Sequence, residues 1–243
     1  MPPHPPLQVL FLAFQQINIL DLTGPCEIFA LGKAKLTIAA SNEIITTFEG
    51  MSLRRDRSLT SLLETNHDGS HSTSTLPPLD SFDILVIPGS LLTATLAAIK
   101  DDPDICKVIS RWSELDRSAT SPNGWNNKKP LLTICGGALF AGSIGLLGGK
   151  TCTMHYLDNK ALQEICVKAG EKANVVRKRV VDSGETKSGM RILTSGGVTC
   201  GIDASLWLVS QMVDLDTARG IARIIDYKWE LDSEWQVTEG MIV

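Results

Sequence analysis

The chain has 243 residues, 43% of them apolar and 21% charged, so it can bury a full hydrophobic core as one large α/β domain or two small ones. Its net charge is −4, from 27 acidic and 23 basic residues that are spread without long like-charge blocks. This balance excludes the strongly basic surface that nucleic acid or an anionic membrane would require. No apolar run reaches the ~18 residues expected of a membrane span.

The cysteines and histidines of the sequence form no recognisable metal or disulfide framework. Six cysteines are scattered without a C-x-x-C pair, and the four histidines have no metal-ligand spacing with them, so we expect no bound metal. The polar, proline-rich start does not resemble a signal peptide, which predicts free thiols in a reducing compartment and a cytoplasmic protein. His67 and His71 stand four residues apart, but in a polar stretch typical of a solvated loop.

The apolar pattern predicts strands that alternate with helices along the chain. The expected strands cover residues 7–14, 35–40, 44–48, 84–87, 131–134, 150–152, 174–181 and 191–194. The expected helices run from about residue 23–25 to 32, over 91–100 and 104–115, directly after Cys135, over 155–168 with Thr153 as cap, and over 204–213 and 215–229. Residues 116–130 are predicted to form a surface loop, Ser183-Gly184 a turn, and the tail from Glu230 a loosely packed segment.

This alternation predicts a doubly wound, mostly parallel sheet sandwiched by helices, in a single domain over residues 1–243. In such a sheet, functional groups gather in the crevice at the carboxyl ends of the strands. Asp21, Gly89, Cys135 and the Gly196-Gly197 turn all follow predicted strand ends. We therefore expect these residues to share one site.

Cys135 stands at the corner between a predicted strand and a predicted helix. Gly136 and Gly137 follow at once, which indicates a sharp turn that holds the cysteine out of the sheet, as in a nucleophile elbow. The positive end of the following helix dipole favours a thiolate over a thiol. The alternative is a buried structural cysteine beside a glycine turn, since free cysteines are among the most buried residues.

Five motifs occur in the order seen in the DJ-1/PfpI superfamily. They are Asp21-Leu22-Thr23-Gly24-Pro25, Ile87-Pro88-Gly89, Cys135-Gly136-Gly137, Lys150-Thr151-Cys152-Thr153-Met154-His155, and Ser195-Gly196-Gly197-Val198-Thr199-Cys200-Gly201-Ile202-Asp203. The resemblance covers roughly residues 7–225, and it looks most like the isonitrile hydratases and the amidase-like domains of certain transcription regulators. It implies a flavodoxin-like, class I glutamine amidotransferase-like sandwich, usually a homodimer, that acts on a small molecule without a cofactor. Since no recognition helix follows, we expect no nucleic-acid partner.

The resemblance also implies roles for individual residues. Cys135 would be the nucleophile, Asp21 its acid/base partner and His155 a third member, while Gly89 and Gly136 would offer backbone N–H groups to charge that develops on the substrate. Each has a structural alternative: Asp21 as a helix N-cap, His155 as a surface residue of a first helical turn, and the glycines as turn formers. Gly136 departs from the hydratase pattern, which carries threonine directly after the nucleophile.

Three functions remain open at this point. A hydratase would convert an isonitrile to an N-substituted formamide through a thioimidate on Cys135. In that reaction Asp21 would supply a proton and then activate water, and its pKa should be raised because it faces a thiolate in a partly desolvated site. The same thiolate could instead add to a 2-oxoaldehyde, as in a glyoxalase. In a redox sensor, peroxide would oxidise an exposed Cys135 of low pKa to the sulfinic acid.

Overall fold

A computed structural model describes residues 6–64, 77–115 and 129–229. The expected loop over 116–130 falls almost entirely outside these ranges, as do His67, His71 and the tail from Glu230. Within the described ranges, no helix combines the length and the apolar character needed to cross a membrane.

The secondary structure follows the predicted alternation. The strands are β1 (Gln8–Leu12), β2 (Lys35–Ala40), β3 (Ile44–Thr46), β4 (Ser52–Arg54), β5 (Arg57–Ser58), β6 (Ile84–Ile87), β7 (Leu131–Ile134), β8 (Thr151–Cys152), β9 (Asn174–Val175), β10 (Val180–Glu185) and β11 (Arg191–Ser195). The helices are α1 (Ile19–Leu31), α2 (Leu59–Leu63), α3 (Leu92–Asp101), α4 (Pro103–Glu114), α5 (Ala138–Ser143), α6 (Asn159–Lys168), α7 (Cys200–Met212) and α8 (Leu215–Ile224).

Seven strands form one central sheet in the order β10-β11-β7-β6-β1-β2-β5. Every neighbouring pair is parallel except β10 with β11. The helices pack in two groups, α1 with α7 and α8, and α2 to α6, which flank the sheet. The predicted flavodoxin-like, mostly parallel sandwich is therefore confirmed.

The strands at the centre of the sheet are buried throughout. Every residue of β6 and β7 is buried, as the continuous apolar runs of these strands require when helices cover both faces. From β1 the chain first adds β2 on one side and then returns to place β6 on the other, so the strand order reverses between β1 and β6. The crevice at this reversal lies between the loops that follow these two strands.

Helix α1 begins earlier than predicted. The carboxamide of Asn18 accepts the backbone N–H groups of Leu20 and Asp21, so Asn18 is the N-cap and the helix starts at Ile19. Pro25 was expected in the first turn, but it lies inside the helix. The interpretation of Asp21 as an N-cap is therefore wrong, and Asp21 lies in the first helical turn.

The segment around His155 is also less helical than predicted. The Thr153 hydroxyl donates to the backbone carbonyl of Lys178 at 2.9 Å, so it is not a helix cap. Helix α6 begins only at Asn159, after a 3-10 turn over Tyr156–Asp158. His155 consequently lies in a loop, because the side chain that would have started a helix bonds to another element.

Three further boundaries differ from the prediction. The expected turn at Ser183-Gly184 lies inside β10, where the pairing with β11 shifts register and absorbs the extra residues. Helix α7 begins at Cys200, four residues early, and α8 ends at Ile224 rather than near Trp229. Boundaries of this kind depend on tertiary hydrogen bonds that local propensity does not reveal.

Replacement of Asn18 by alanine should lower the free energy of unfolding by about 1 kcal/mol, because two N–H groups of α1 lose their acceptor. Urea denaturation measures this change. Asp214→Ala is the matched control, since Asp214 caps α8 through the N–H of Thr217. A stability loss in Asp214→Ala but none in Asn18→Ala would contradict the assigned start of α1.

Candidate active site

Cys135 occupies a strained corner directly after β7. Its φ of +54° lies in the left-handed region, which L residues other than Asn and Asp seldom adopt and which costs roughly 1–2 kcal/mol. Its backbone N–H donates to the carbonyl of Gly196 at 3.2 Å, and a 3-10 turn over Cys135–Gly137 leads into α5. The strand, the sharp turn and the helix of a nucleophile elbow are therefore present.

Three glycines allow the loops after β6 and β7 to touch, backbone against backbone. A Cβ atom on Gly89 would lie 2.4 Å from the nitrogen of Gly136, and one on Gly137 would lie 2.2 Å from the carbonyl oxygen of Ile87. Both distances are far below van der Waals contact. These positions require glycine because of space, and the contact fixes the position of the loop after β6 relative to Cys135.

The carboxyl of Asp21 is fully buried beside Cys135. Its Oδ2 accepts the backbone N–H of Gly89 at 3.2 Å. Its Oδ1 has no hydrogen-bond partner among the described residues, although the Cys135 thiol lies close enough to influence the pKa of the carboxyl. The structure thus brings Asp21, Gly89 and Cys135 together. It also corrects one prediction: the Gly89 N–H is directed at Asp21 and is not available to a substrate.

His155 approaches Cys135 from the other side, across Gly197. A Cβ atom on Gly197 would lie 2.4 Å from Cδ2 of His155 and 3.1 Å from Sγ of Cys135. The sulfur and the imidazole ring are therefore separated by little more than the space of one methyl group. Nδ1 of His155 lies 3.9 Å from a carboxylate oxygen of Asp158, which is too long for a direct hydrogen bond.

The loop after β6 contributes a donor that the sequence analysis missed. The backbone N–H of Ser90 donates to no acceptor in the described part of the chain, and its hydroxyl donates to the carbonyl of Gln16. The N–H of Gly136 is directed at the sulfur of Cys135. The Ser90 nitrogen lies close to Gly136, 3.4 Å from where a Cβ atom of that residue would stand, and one residue further along than the predicted Gly89. Successive peptide groups point in different directions, so the motif alone could not choose between the two.

Comparison with known proteins shows what this chain is similar to. No family model matches the chain. It is 27% identical over 223 residues to the isonitrile hydratase of Pseudomonas putida, which covers 91% of this chain and 78% of that protein. A ThiJ/PfpI family protein from Pseudomonas syringae has a TM-score of 0.64 at 21% identity over 95% of this chain and 78% of that one. Oxidised DJ-1 from Toxoplasma gondii has a TM-score of 0.66 at 16% identity over 92% of this chain and all of that one.

These similarities support the DJ-1/PfpI superfamily, which was the resemblance inferred from the five motifs. The residues of three of those motifs, Asp21, Gly89 and Cys135, converge at the carboxyl edge of the sheet.

Burial changes the acidity of Asp21 strongly. Loss of solvation raises the pKa of the carboxyl to about 7, and the negative charge of Glu49 raises it further, while the Cys135 thiol and the Gly89 N–H oppose the shift. The raised pKa predicted from the sequence is confirmed. Its main cause is burial, and near neutral pH the carboxyl is divided between its protonated and ionised forms.

The predicted thiolate is wrong. Burial raises the pKa of the Cys135 thiol, because only 6% of the residue is exposed, and the nearby carboxyls of Asp21 and Asp158 raise it further. The Gly136 N–H lowers the pKa by less. Helix α5 has six residues, so its dipole is too weak to offset this loss of solvation. The resting site holds a neutral thiol beside a carboxyl that can accept its proton.

Cys200 also lies near the site, where its thiol donates to the carbonyl of Gly197 at 3.1 Å. All six cysteines are free thiols. Among the residues that the structure describes, no group of three or more histidine, cysteine, aspartate or glutamate side chains could hold a metal ion.

Asp21→Asn should remove a pH-dependent loss of stability. Between pH 3.8 and about 7 the unfolded chain releases the Asp21 proton while the folded protein retains it, so wild-type stability falls as the pH rises. The asparagine variant lacks this slope. The difference in free energy of unfolding between Asp21→Asn and the wild type should therefore change by a few kcal/mol in favour of the variant as the pH rises through this range. Urea denaturation at a series of pH values measures it.

Asp214→Asn is the control for this measurement. Hydrogen bonds from Thr217 lower the pKa of Asp214, so its titration is complete below the same window. The stability difference between Asp214→Asn and wild type should be constant there. A constant difference for Asp21→Asn as well would show that Asp21 is not held protonated by the fold.

Glu49→Gln should lower the pKa of Asp21. Glu49 lies in the turn between β3 and β4, where its carboxylate accepts the N–H of Ile19 at the start of α1. Glutamine keeps an acceptor for this N–H but removes the charge. The midpoint of the pH dependence of Cys135 alkylation by iodoacetamide should shift to lower pH. Glu27→Gln, which removes an exposed charge from α1, is the control and should leave the midpoint unchanged. Equal midpoints in the wild type and both variants would show that Glu49 does not influence the pKa of Asp21.

Proposed function

We propose that this protein hydrates isonitriles to N-substituted formamides, with Cys135 as the nucleophile and Asp21 as the group that moves protons. One observation carries the proposal: a neutral, buried thiol lies beside a buried carboxyl of pKa about 7 whose Oδ1 has no partner among the described residues. The sequence similarity to an isonitrile hydratase supports the substrate class.

The first half of the reaction adds the thiol to the terminal carbon of R–N≡C. Ionised Asp21 accepts the proton from Cys135 as the sulfur bonds to this carbon, and then returns the proton to the same carbon, giving the thioimidate R–N=CH–S. Sulfur and hydrogen both end on one atom. A single carboxyl adjacent to the sulfur can serve as base and then acid, provided that its pKa lies near the working pH, as that of Asp21 does.

The second half consumes water. Asp21, ionised again, takes a proton from a water molecule whose oxygen bonds to the thioimidate carbon, and passes this proton to the nitrogen, giving R–NH–CH(OH)–S. The carbon–sulfur bond then breaks while the hydroxyl proton passes through Asp21 to the sulfur, which yields R–NH–CHO and the free thiol of Cys135. The N–H groups of Ser90 and Gly136 stabilise negative charge that develops next to the elbow, and the position of His155 allows it to bind water or the departing product.

The same geometry does not favour a peroxide sensor. Peroxide attacks an accessible thiolate, whereas Cys135 is 6% exposed and its pKa is raised. Conversion of a 2-oxoaldehyde would use the same thiol and carboxyl, so it belongs in the test as a competing reaction. The hydratase pattern has threonine where this chain has Gly136, so no side-chain hydroxyl is present at that position. The hydrogen-bond donors beside the sulfur therefore come from the backbone.

Purified protein should convert a neutral alkyl isonitrile to the formamide, followed by the formyl proton in NMR spectra. Cys135→Ala should abolish turnover, and Asp21→Asn should reduce kcat by about 10²–10⁴-fold because no group then transfers the proton. Cys106→Ser, which changes a half-buried thiol of α4 that lies 3.8 Å from the Ser143 hydroxyl, should keep full activity.

Two results would contradict this proposal. Full turnover by Cys135→Ala would remove the nucleophile. Lactate formation from methylglyoxal without formamide formation from any of several isonitriles would assign the site to the competing reaction.

The predictions of a homodimer and of a cytoplasmic location are carried forward from the sequence and from the superfamily resemblance. Both remain proposals. Light scattering of the purified protein over a range of concentrations tests the first, and microscopy of the tagged full chain in its native cell tests the second.

A further inference from the structure

We propose that Thr95 of α3 is a positioning residue for the site, because its hydroxyl holds the segment from Pro88 to Leu91 against the nucleophile elbow. The proposal concerns the arrangement of the Gly89 and Ser90 N–H groups, and it rests on the proposed function only for its kinetic readout. Thr95 itself does not touch the reacting atoms.

Thr95 contacts the residue that follows the nucleophile. A Cβ atom on Gly136 would lie 2.8 Å from Oγ1 of Thr95, 2.8 Å from the carbonyl oxygen of Ser90 and 3.4 Å from the Ser90 nitrogen. The first turn of α3 and the segment before it therefore close the space where a side chain at position 136 would stand. Because Gly136 has no side chain, Oγ1 of Thr95 and the carbonyl oxygen of Ser90 both pack directly against its backbone.

The Thr95 hydroxyl is fully buried, and both of its hydrogen-bond partners are carbonyl groups of the segment that precedes α3. It donates to the carbonyl of Leu91 at 3.1 Å and lies 3.5 Å from that of Ser90. The Thr95 backbone N–H also donates to the Leu91 carbonyl, at 3.0 Å. Two donors from one residue thus hold the carbonyl that ends the segment after β6. A buried hydroxyl without such a partner would be costly, which makes this placement specific.

The segment held by Thr95 carries both N–H groups that matter to the site. Gly89 donates to Asp21, and Ser90 offers the N–H that has no acceptor among the described residues. The segment is also fixed by the Ser90 hydroxyl, which donates to the carbonyl of Gln16, a residue with a left-handed φ of +63°. Loss of the Thr95 hydroxyl should release one of these two attachments and let both N–H groups move.

Thr95→Val removes the hydroxyl at nearly constant shape, and Thr95→Ser restores it without the methyl group. We expect kcat for isonitrile hydration to fall at least tenfold in Thr95→Val with little change in KM, and to recover in Thr95→Ser, since small displacements of oriented groups reduce rates strongly. Because the Gly89 N–H lowers the pKa of Asp21, its movement should also shift the midpoint of Cys135 alkylation by iodoacetamide to higher pH.

Ser205→Ala is the matched control. The Ser205 hydroxyl is fully buried in α7 and donates to the carbonyl of Gly201, four residues earlier, just as Thr95 does in α3. It should lower the unfolding temperature by a similar amount but leave kcat and the alkylation midpoint unchanged. The proposal is overturned if Thr95→Val matches Ser205→Ala in both readouts, or if Thr95→Ser is as defective as Thr95→Val.

The alkylation midpoint also separates this proposal from the proposed function. If the wild-type protein hydrates no isonitrile, the proposed reaction fails, but the midpoint still reports whether Thr95 sets the position of the Gly89 N–H. A shifted midpoint in Thr95→Val would then support the positioning role, and an unchanged midpoint would refute it.

Discussion

The chemistry of this protein depends on one desolvated carboxyl. Asp21 lies in the first turn of α1, fully removed from solvent, with the Gly89 N–H as its donor and the Cys135 thiol beside it. In water this carboxyl would be ionised at neutral pH and would repel a thiolate. Burial raises its pKa to about 7, so the carboxyl and the thiol can share a proton.

A neutral resting thiol changes how the elbow should be understood. A thiolate attacks without help, whereas a thiol of raised pKa needs a base at the moment of bond formation. The structure places the carboxyl of Asp21 beside this thiol, and in the proposed mechanism it is the base, so that the pair acts as one unit. This arrangement suits reactions in which a proton must travel with the sulfur to the same atom, and it suits peroxide chemistry poorly.

The site is also a product of backbone packing. Gly89, Gly136 and Gly137 remove the side chains that would keep the loops after β6 and β7 apart, and the contact between these loops brings N–H groups to the sulfur and to the carboxyl. Packing of this kind explains why the donors come from peptide groups, whose orientation is fixed by the turn. Thr95 and Gln16 both bind the loop after β6, Thr95 at Leu91 and Gln16 at Ser90.

The sequence alone determined the order of strands and helices, the parallel sheet, and the gathering of Asp21, Gly89 and Cys135 at strand ends, because hydrophobic periodicity and glycine placement are local properties. Only the tertiary structure decided what depends on distant neighbours. Asn18 rather than Asp21 caps α1, since the cap depends on where the chain leaves β1. The Gly89 N–H binds Asp21, whereas the Ser90 N–H has no acceptor among the described residues. The Cys135 thiol is neutral because residues distant in the sequence bury it, and this burial raises its pKa. The extent of burial cannot be read from a motif.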